Sequence, residues 1–550
     1  MDHKQKLQLR LKRVLQFNQL RTERAVSLMP EDKRPLFYVM PFLLHVNHPD
    51  LPGYIEDDDT PFGIINFAFK PELTAQLEAI FPDKAELFAD IKNIWPKKKA
   101  LDSLLLMGSI GSIGQSEKSD FDYWVCYNEK RFTQRGVDLL QKKLVKIEHW
   151  ADAEYDLEVH FFPSEISKVR KNDFGEAGGE SAGSAQATFL KSEFYSTNLL
   201  VAGKVPFWWV TPSSATDDYY AKMLRFAAKL QKPDPRIFMD LGHLEKVVPS
   251  EIFGAAIWQI SKAMDSPFKS VLKMAKLEVF IANAEKQQPL CNSLKHRVHG
   301  GQQDPEDLKY QDPYAMMFDQ VVEYYKSQDK PELVELMQTC LYIKCGCHLS
   351  EPVTDGNLTF KRDIISRYIT DWGWDVKKLE YLDAIKNWDF QDVSDLGQKI
   401  HSFLIGCYRR LSARIQQQEQ LVSNQDATVI GRKIDSFYTK KDNKIMYLKR
   451  AFDEGLMVTE LTVIAKMDLN SPGKKSWSAY RGDVLTWSEQ ELEPLFLKQS
   501  NDPVDLVLWC VFNRIIDSHT KLCLSQKCEP LTNEDFKGFI EQVSFLFPPL

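Results

Sequence analysis

MGSIGSIGQSEKSDFDYW, residues 107–124, follows the apolar run Leu104–Leu106 and puts three glycines, four serines and two spaced aspartates where a buried strand has just ended. A surface turn is one reading of it. The other is a phosphate-cradling loop followed by a metal-binding strand. Gly108 and Ser109 come straight after the strand, where glycine lets backbone N–H groups approach a ligand closely. Successive N–H groups in such a turn make an anion nest, and serine hydroxyls add donors. Asp120 and Asp122 are spaced to share one face of a strand, about 7 Å apart, with Phe121 and Tyr123 on the other. Two carboxylates held that way suit one or two Mg²⁺ ions that also bind a triphosphate.

A two-metal site generally takes a third carboxylate from another strand, and YDLEVHFF (155–162) offers Asp156, Glu158 and His160 on one face. Glu158 is the better choice, because Asp156 lies at the strand's start. Around the loop, DSLLLMG and DFDYWVCY alternate as strands, RFTQRGVDLLQKKLVKIEHWADA has helical spacing, and YDLEVHFFP is again a strand. Strand, loop, strand, long helix, strand is a compact α/β unit. Within it, the Gly/Ser/Ala-rich stretch Asn172–Leu190 reads equally as a linker or as a substrate-facing loop.

At 550 residues the chain is too long for one core. The boundaries are expected to set off an N-terminal helical segment over 1–95, packed on the core, and an α/β core over 96–215. A mostly helical domain over 216–420 and a small mixed α/β segment over 421–550 follow. The helical stretch breaks at Pro267, and MVTELTVIAKMDLNSPGKKSWSAYRG reads as a β-hairpin with its turn at Asn470–Gly473. A net charge of −7 and a pI near 6.0 exclude a basic nucleic-acid coat. The short basic run PKKKA (96–100) reads as a solvated turn. No stretch has the apolar length of a membrane span, and the N-terminus lacks the apolar core of a secretory signal, so a cytoplasmic protein is expected. Nine scattered cysteines are no disulfide framework, and CLYIKCGCH (340–348) lacks a usual zinc spacing.

The residues reach further than a generic loop. Gly-Ser, then D-x-D, then a carboxylate on a later strand is the pattern of the nucleotidyltransferase fold typified by DNA polymerase beta. MGSIGSIGQSEKSDFDYWVC resembles the catalytic loop of the class I adenylate cyclases of gamma-proteobacteria, and LLHVNHPDLPGY, EVHFF, GGESAGSAQ, FLKSEFYST, DSPFKSVLK, DPYAMMF and WGWD follow in the family order. There are two departures. Ile110 and Gly111 stand where the family usually carries hydroxylated residues. The family's chains also commonly continue well past this length into a C-terminal regulatory region, so the resemblance implies the catalytic region without that part.

This resemblance implies conversion of ATP to 3′,5′-cyclic AMP and pyrophosphate with two Mg²⁺ ions, for which Mn²⁺ can substitute. It implies Asp120 and Asp122 as metal ligands, and Glu158 as ligand of the nucleophile-side metal and acceptor of the 3′ proton. Gly108, Ser109 and Ser112 are expected to hold the β- and γ-phosphates. Ser184 and Gln186 are expected to reach the nucleotide from the Gly/Ser loop, and Lys204 to be the triphosphate's cation, against the plainer reading of a lysine at a strand end. The family also implies regulation by the glucose-specific phosphotransferase protein. Two other readings stay open: transfer of AMP to a different acceptor, and an inactive scaffold that binds nucleotide. The acidic balance counts against an RNA acceptor, and the presence of all three carboxylates counts against the scaffold.

Overall fold

The apolar run before the loop is strand β1, Leu101–Met107, buried along nearly its whole length. It lies inside a four-stranded sheet with β2 (Phe121–Tyr127), β3 (Val159–Glu165) and β4 (Leu199–Gly203), in the order β3-β2-β1-β4. β1 runs antiparallel to β2 and β4, and β2 parallel to β3. The computed structural model describes residues 2–69, 71–174, 187–244, 247, 249–263, 266–282, 289–300, 311–352, 359–388, 390–418, 444–445, 457–467, 475–525 and 528–546. Ser184, Gln186 and the turn Asn470–Gly473 lie outside the described residues.

The helices in chain order begin with α1 (His3–Ser27), α2 (Arg34–His45), α3 (Pro71–Ile80), α4 (Ala85–Ala89), α5 (Gln134–Tyr155), α6 (Ile166–Arg170) and α7 (Ala187–Thr197). One face of the sheet carries Phe121, Tyr123, Val125, Val159 and Phe161 into a core shared with Phe37 and Leu44 of α2 and with Leu144 and Ile147 of α5. The N-terminal helices are therefore part of the sheet's own core. On the other face Trp124 stacks on Phe194 of α7, ring centroids 4.2 Å apart. Both faces are covered, which is why β1 reads as an unbroken apolar run. β4 is an edge strand, and the Asn18 side chain of α1 pairs with it as a neighbouring strand would. Its amide donates to Leu200 O (2.9 Å) and its carbonyl accepts from Leu200 N (2.8 Å).

The chain divides into two compact bodies, Met1–Gln259 with Leu272–Trp374 and Cys407–Val422, and Ile260–Val271 with Asp375–Gly406 and Ser423–Leu550. The helices continue in chain order with α8 (Asp217–Ala227), α9 (Pro249–Lys262), α10 (Pro267–Ala282), α11 (Leu290–His299), α12 (Pro313–Ser327), α13 (Pro331–Cys345) and α14 (Thr359–Trp372). Cys340 and Cys345 are buried in α13, which ends at Gly346 with φ +59°. The second body holds a sheet that includes Glu460–Met467 antiparallel to Lys475–Arg481, the two strands of the expected hairpin. The architecture is α+β throughout.

Glu193 anchors α7 to α10, where it pairs with Lys276 and, at 3.5 Å, with Lys273. Burial alone would raise the Glu193 carboxyl, but the two ammonium groups outweigh it and hold the group at about 2. A depressed carboxyl stabilises the fold fully above its unfolded value near 4.5 and loses that contribution as pH falls through about 2. Glu193→Gln is therefore expected to cost about 3 kcal/mol at neutral pH. Urea unfolding across the acid range should show the gap to the parent closing between about pH 4.5 and 2.

Candidate functional site

The loop between β1 and β2 is built in two halves with different jobs. In its middle, the N–H groups of Gly111 through Ser116 are all bonded within the protein. Gly111 N donates to Gln115 Oε1 (2.8 Å), Ile113 N to Asp312 Oδ2 (2.9 Å) and Ser116 N to Ser119 Oγ (2.9 Å). Ser112 N and Gln115 N close turns onto Ser109 O and Ser112 O, and Gly114 N reaches Ser112 Oγ. The middle of the loop braces itself, and ligand-facing groups are left to its two ends.

The brace is fastened from three directions. Arg21 of α1, 1% exposed, donates to Ile110 O (2.9 Å), Thr197 O (2.8 Å) and Asn198 O (2.7 Å), tying the loop to the C-terminal end of α7. Asp312 caps α12 by accepting from Tyr314 N and Ala315 N, and its other oxygen takes Ile113 N. Lys361 of α14 donates to Gln115 O at 2.6 Å. Burial lowers Arg21 to about 10 and raises Asp312, each opposed by the other's charge. Ile110 is buried in the sheet's core. Gly111 has φ +73°, and a Cβ there would stand 2.6 Å from Arg21 O. Both departures from the family loop are thus packing positions.

At the loop's first end, Gly108 has φ +106°, and a Cβ built there would meet a single neighbour, Asp122 Oδ2, at 3.9 Å. Glycine keeps open the space beside that carboxylate. Gly108 N donates to Thr197 Oγ1 at 3.3 Å, and Ser109 Oγ lies 3.1 Å from Ser119 Oγ, linking the two ends of the loop. At the second end, Asp120 stands just before β2 and Asp122 within it. Both are half-buried while Phe121 and Tyr123 are buried, so the expected alternation is present. Glu158 also precedes its strand by one residue; its carbonyl accepts from Phe121 N at 2.9 Å, which sets it beside Asp120 in the ladder. Its side chain is 70% exposed and accepts from His160 Nε2 at 2.8 Å. Asp156 does not share that face, because α5 runs to Tyr155 and Asp156 turns the chain with φ +47°.

Among the described residues no three His, Cys, Asp or Glu side chains gather closely enough to hold a metal. The donors nonetheless fit magnesium. Mg²⁺ keeps several waters and takes one or two carboxylates plus substrate phosphates, not a full protein cage. Asp122 beside the open space at Gly108, with Asp120 two residues before it, offers hard oxygens of that kind.

Two expected phosphate ligands are corrected. Ser112 is 1% exposed, and its hydroxyl donates to Ser109 O (2.6 Å) and accepts from Gly114 N, so it belongs to the brace. Lys204 stands at the far end of the sheet. β4 runs antiparallel to β1 and pairs Gly203 with Ser103, returning the chain to the start of β1, about 20 Å of strand from Gly108. There Lys204 Nζ donates to Asp102 Oδ1 at 2.6 Å, and Arg131 meets the other oxygen at 3.2 Å. Conversely, Arg21 and Lys361 carry no local sequence signal for their part in the brace. Asp312 has one, since it opens the family-like DPYAMMF as a helix cap before proline.

Three family models match the chain in succession: adenylate cyclase NT domain over residues 6–209, adenylate cyclase, class-I, second domain over 247–449, and adenylate cyclase, class-I, third domain over 458–550. The chain belongs to the class I adenylate cyclase family. An adenylate cyclase of Salmonella typhimurium is 31% identical over 511 residues, covering 92% of this chain and 58% of the relative, and that of Escherichia coli K12 gives the same figures. The adenylate cyclase of Proteus mirabilis is 28% identical over 537 residues, 96% of this chain and 60% of the relative. The chain thus spans about three-fifths of the length of the curated relatives it matches. No solved structure matches it.

The correction at Lys204 is directly measurable. Lys204→Gln removes one partner of the buried Asp102 while leaving Arg131, and should lower unfolding stability by about 2 kcal/mol. ATP affinity by calorimetric titration should not change; a large loss would return Lys204 to the site.

Proposed function

We propose that this chain is the catalytic part of an adenylate cyclase, converting ATP to 3′,5′-cyclic AMP and pyrophosphate on a core of the nucleotidyltransferase type. Family membership supports the reaction. The observation that carries the site is Asp122 at the start of β2, beside the space at Gly108, with Asp120 two residues before it. A D-x-D pair at a strand start, preceded by a Gly-Ser turn, supports the fold assignment.

The nucleotide's phosphates lie against Gly108 and Ser109, where the φ of Gly108 lets the backbone come close. Asp120 and Asp122 would hold one magnesium ion with the triphosphate, and Glu158, adjacent in the ladder, would share a second. When bound, these ions supply charge neutralisation on the leaving pyrophosphate and lower the pKa of the attacking hydroxyl. The chain's own work is positional. The fastened loop holds the α-phosphorus in line with the ribose 3′-oxygen, which favours the intramolecular attack. Glu158 accepts the 3′ proton, its carboxylate oriented by the hydrogen bond from His160. Use of ATP and the absence of any described helix long and apolar enough to cross a membrane support a cytoplasmic enzyme. The resemblance points to the glucose-specific phosphotransferase protein as its regulator.

Incubation with Mg²⁺ and ATP, followed by separation of the nucleotides, should give cyclic AMP and pyrophosphate. The Asp120→Asn/Asp122→Asn double variant is expected to lose at least a thousandfold in kcat/KM, about 4 kcal/mol of transition-state stabilisation. Pyrophosphate without cyclic AMP would mean transfer to another acceptor.

A further inference from the structure

With Lys204 at the far end of the sheet, the loop needs its cation from elsewhere. A triphosphate remains negative with a divalent ion bound, and Asp120 and Asp122 add to the repulsion, so a basic group near the terminal phosphates is required. Arg21 and Lys361 are close but buried, with their donors directed at backbone carbonyls of the brace. Lys118 lies on the loop but is exposed. Lys344, on the last turn of α13, is placed differently. It is half-buried, and its ammonium stands 3.5 Å from the hydroxyl of Ser116.

That hydroxyl is one of a row. Ser116 Oγ lies 3.4 Å from Ser119 Oγ, which lies 3.1 Å from Ser109 Oγ. The row starts beside Gly108, at the open space facing Asp122, and ends at the Lys344 ammonium. Hydroxyls can each turn a donor to a phosphate oxygen, and a lysine provides a mobile point charge for a terminal phosphate. We infer that Lys344 binds the β- and γ-phosphates of the nucleotide, with Ser109, Ser116 and Ser119 lining the path between it and the aspartates. This rests on the nucleotide reading of the loop and extends it. It makes α13, which lies within the stretch matched by the class-I second domain, a contributor to the substrate site. It also makes the site selective for triphosphates and for the pyrophosphate product.

The test is calorimetric binding to the full chain in Mg²⁺, using 3′-deoxy-ATP, which cannot cyclise, together with pyrophosphate and AMP. Lys344→Gln should weaken 3′-deoxy-ATP and pyrophosphate about ten- to a hundredfold and leave AMP unchanged. Lys344→Arg should stay within a few fold of the parent for all three. Thermal melts of both variants accompany the titrations. If Lys344→Gln binds 3′-deoxy-ATP and pyrophosphate like the parent, or loses AMP to the same degree, the assignment is overturned. A parent that binds no triphosphate overturns it together with the site. A parent that binds 3′-deoxy-ATP yet makes no cyclic AMP from ATP would overturn the cyclase reading alone, and the Lys344 comparison would still be decided by binding.

Discussion

A guanidinium buried among three carbonyls fastens the loop between β1 and β2. Arg21 takes Ile110 O from the loop and Thr197 O and Asn198 O from the end of α7, at 2.7 to 2.9 Å. Taking such a charge out of water costs several kcal/mol unless its donors are satisfied and an opposite charge is near. The carbonyls at a helix C-terminus are a natural acceptor set for it, and Asp312 provides the opposing charge. If α1 were displaced, Arg21 would leave with it, and the loop would lose its tie to α7 while the carbonyls of Ile110, Thr197 and Asn198 lost their donor. The long N-terminal helix is therefore part of the loop's foundation.

The same constraint divides the loop's glycines and serines by task. Gly111 is required because Arg21 O passes where a side chain would begin, and Ser112 because its hydroxyl closes the turn onto Ser109 O. Gly108 is required by its φ of +106°, and its missing side chain leaves room beside Asp122. Residues of one type within a few positions of each other thus answer to unlike demands, packing in the middle and access at the ends. A rigid middle has a functional consequence, since groups that must meet a reacting phosphate are best held by elements that do not move.

The loop belongs to the stretch matched by the NT-domain model, yet Asp312 and Lys361, which fasten it, belong to the stretch matched by the second-domain model. The site's geometry is therefore a joint product of segments some 200 to 250 positions apart, as the separations of 199 and 246 residues for these two contacts record. Helices far along the chain are coupled to the loop through buried hydrogen bonds, where leaving one partner unmade is costly.

The sequence by itself determined the local elements and the chemistry they carry. Period-two alternation marks β2, with Phe121 and Tyr123 turned inward and Asp120 and Asp122 left on the other face, and helical spacing marks α5. The Gly-Ser turn and the D-x-D pair are legible because their meaning lies in neighbouring residues. Strand direction and long-range contact are not local properties. Nothing in VAGKVPFWW says that β4 runs antiparallel to β1, and that alone carries Lys204 to Asp102 and away from Gly108. Likewise a buried arginine in an amphipathic helix and a lysine at the end of α13 have ordinary sequence neighbours, and only packing brings Arg21 and Lys344 to the loop. Periodicity encodes which face is buried; which element covers that face, and which charges it brings, is decided when the chain closes on itself.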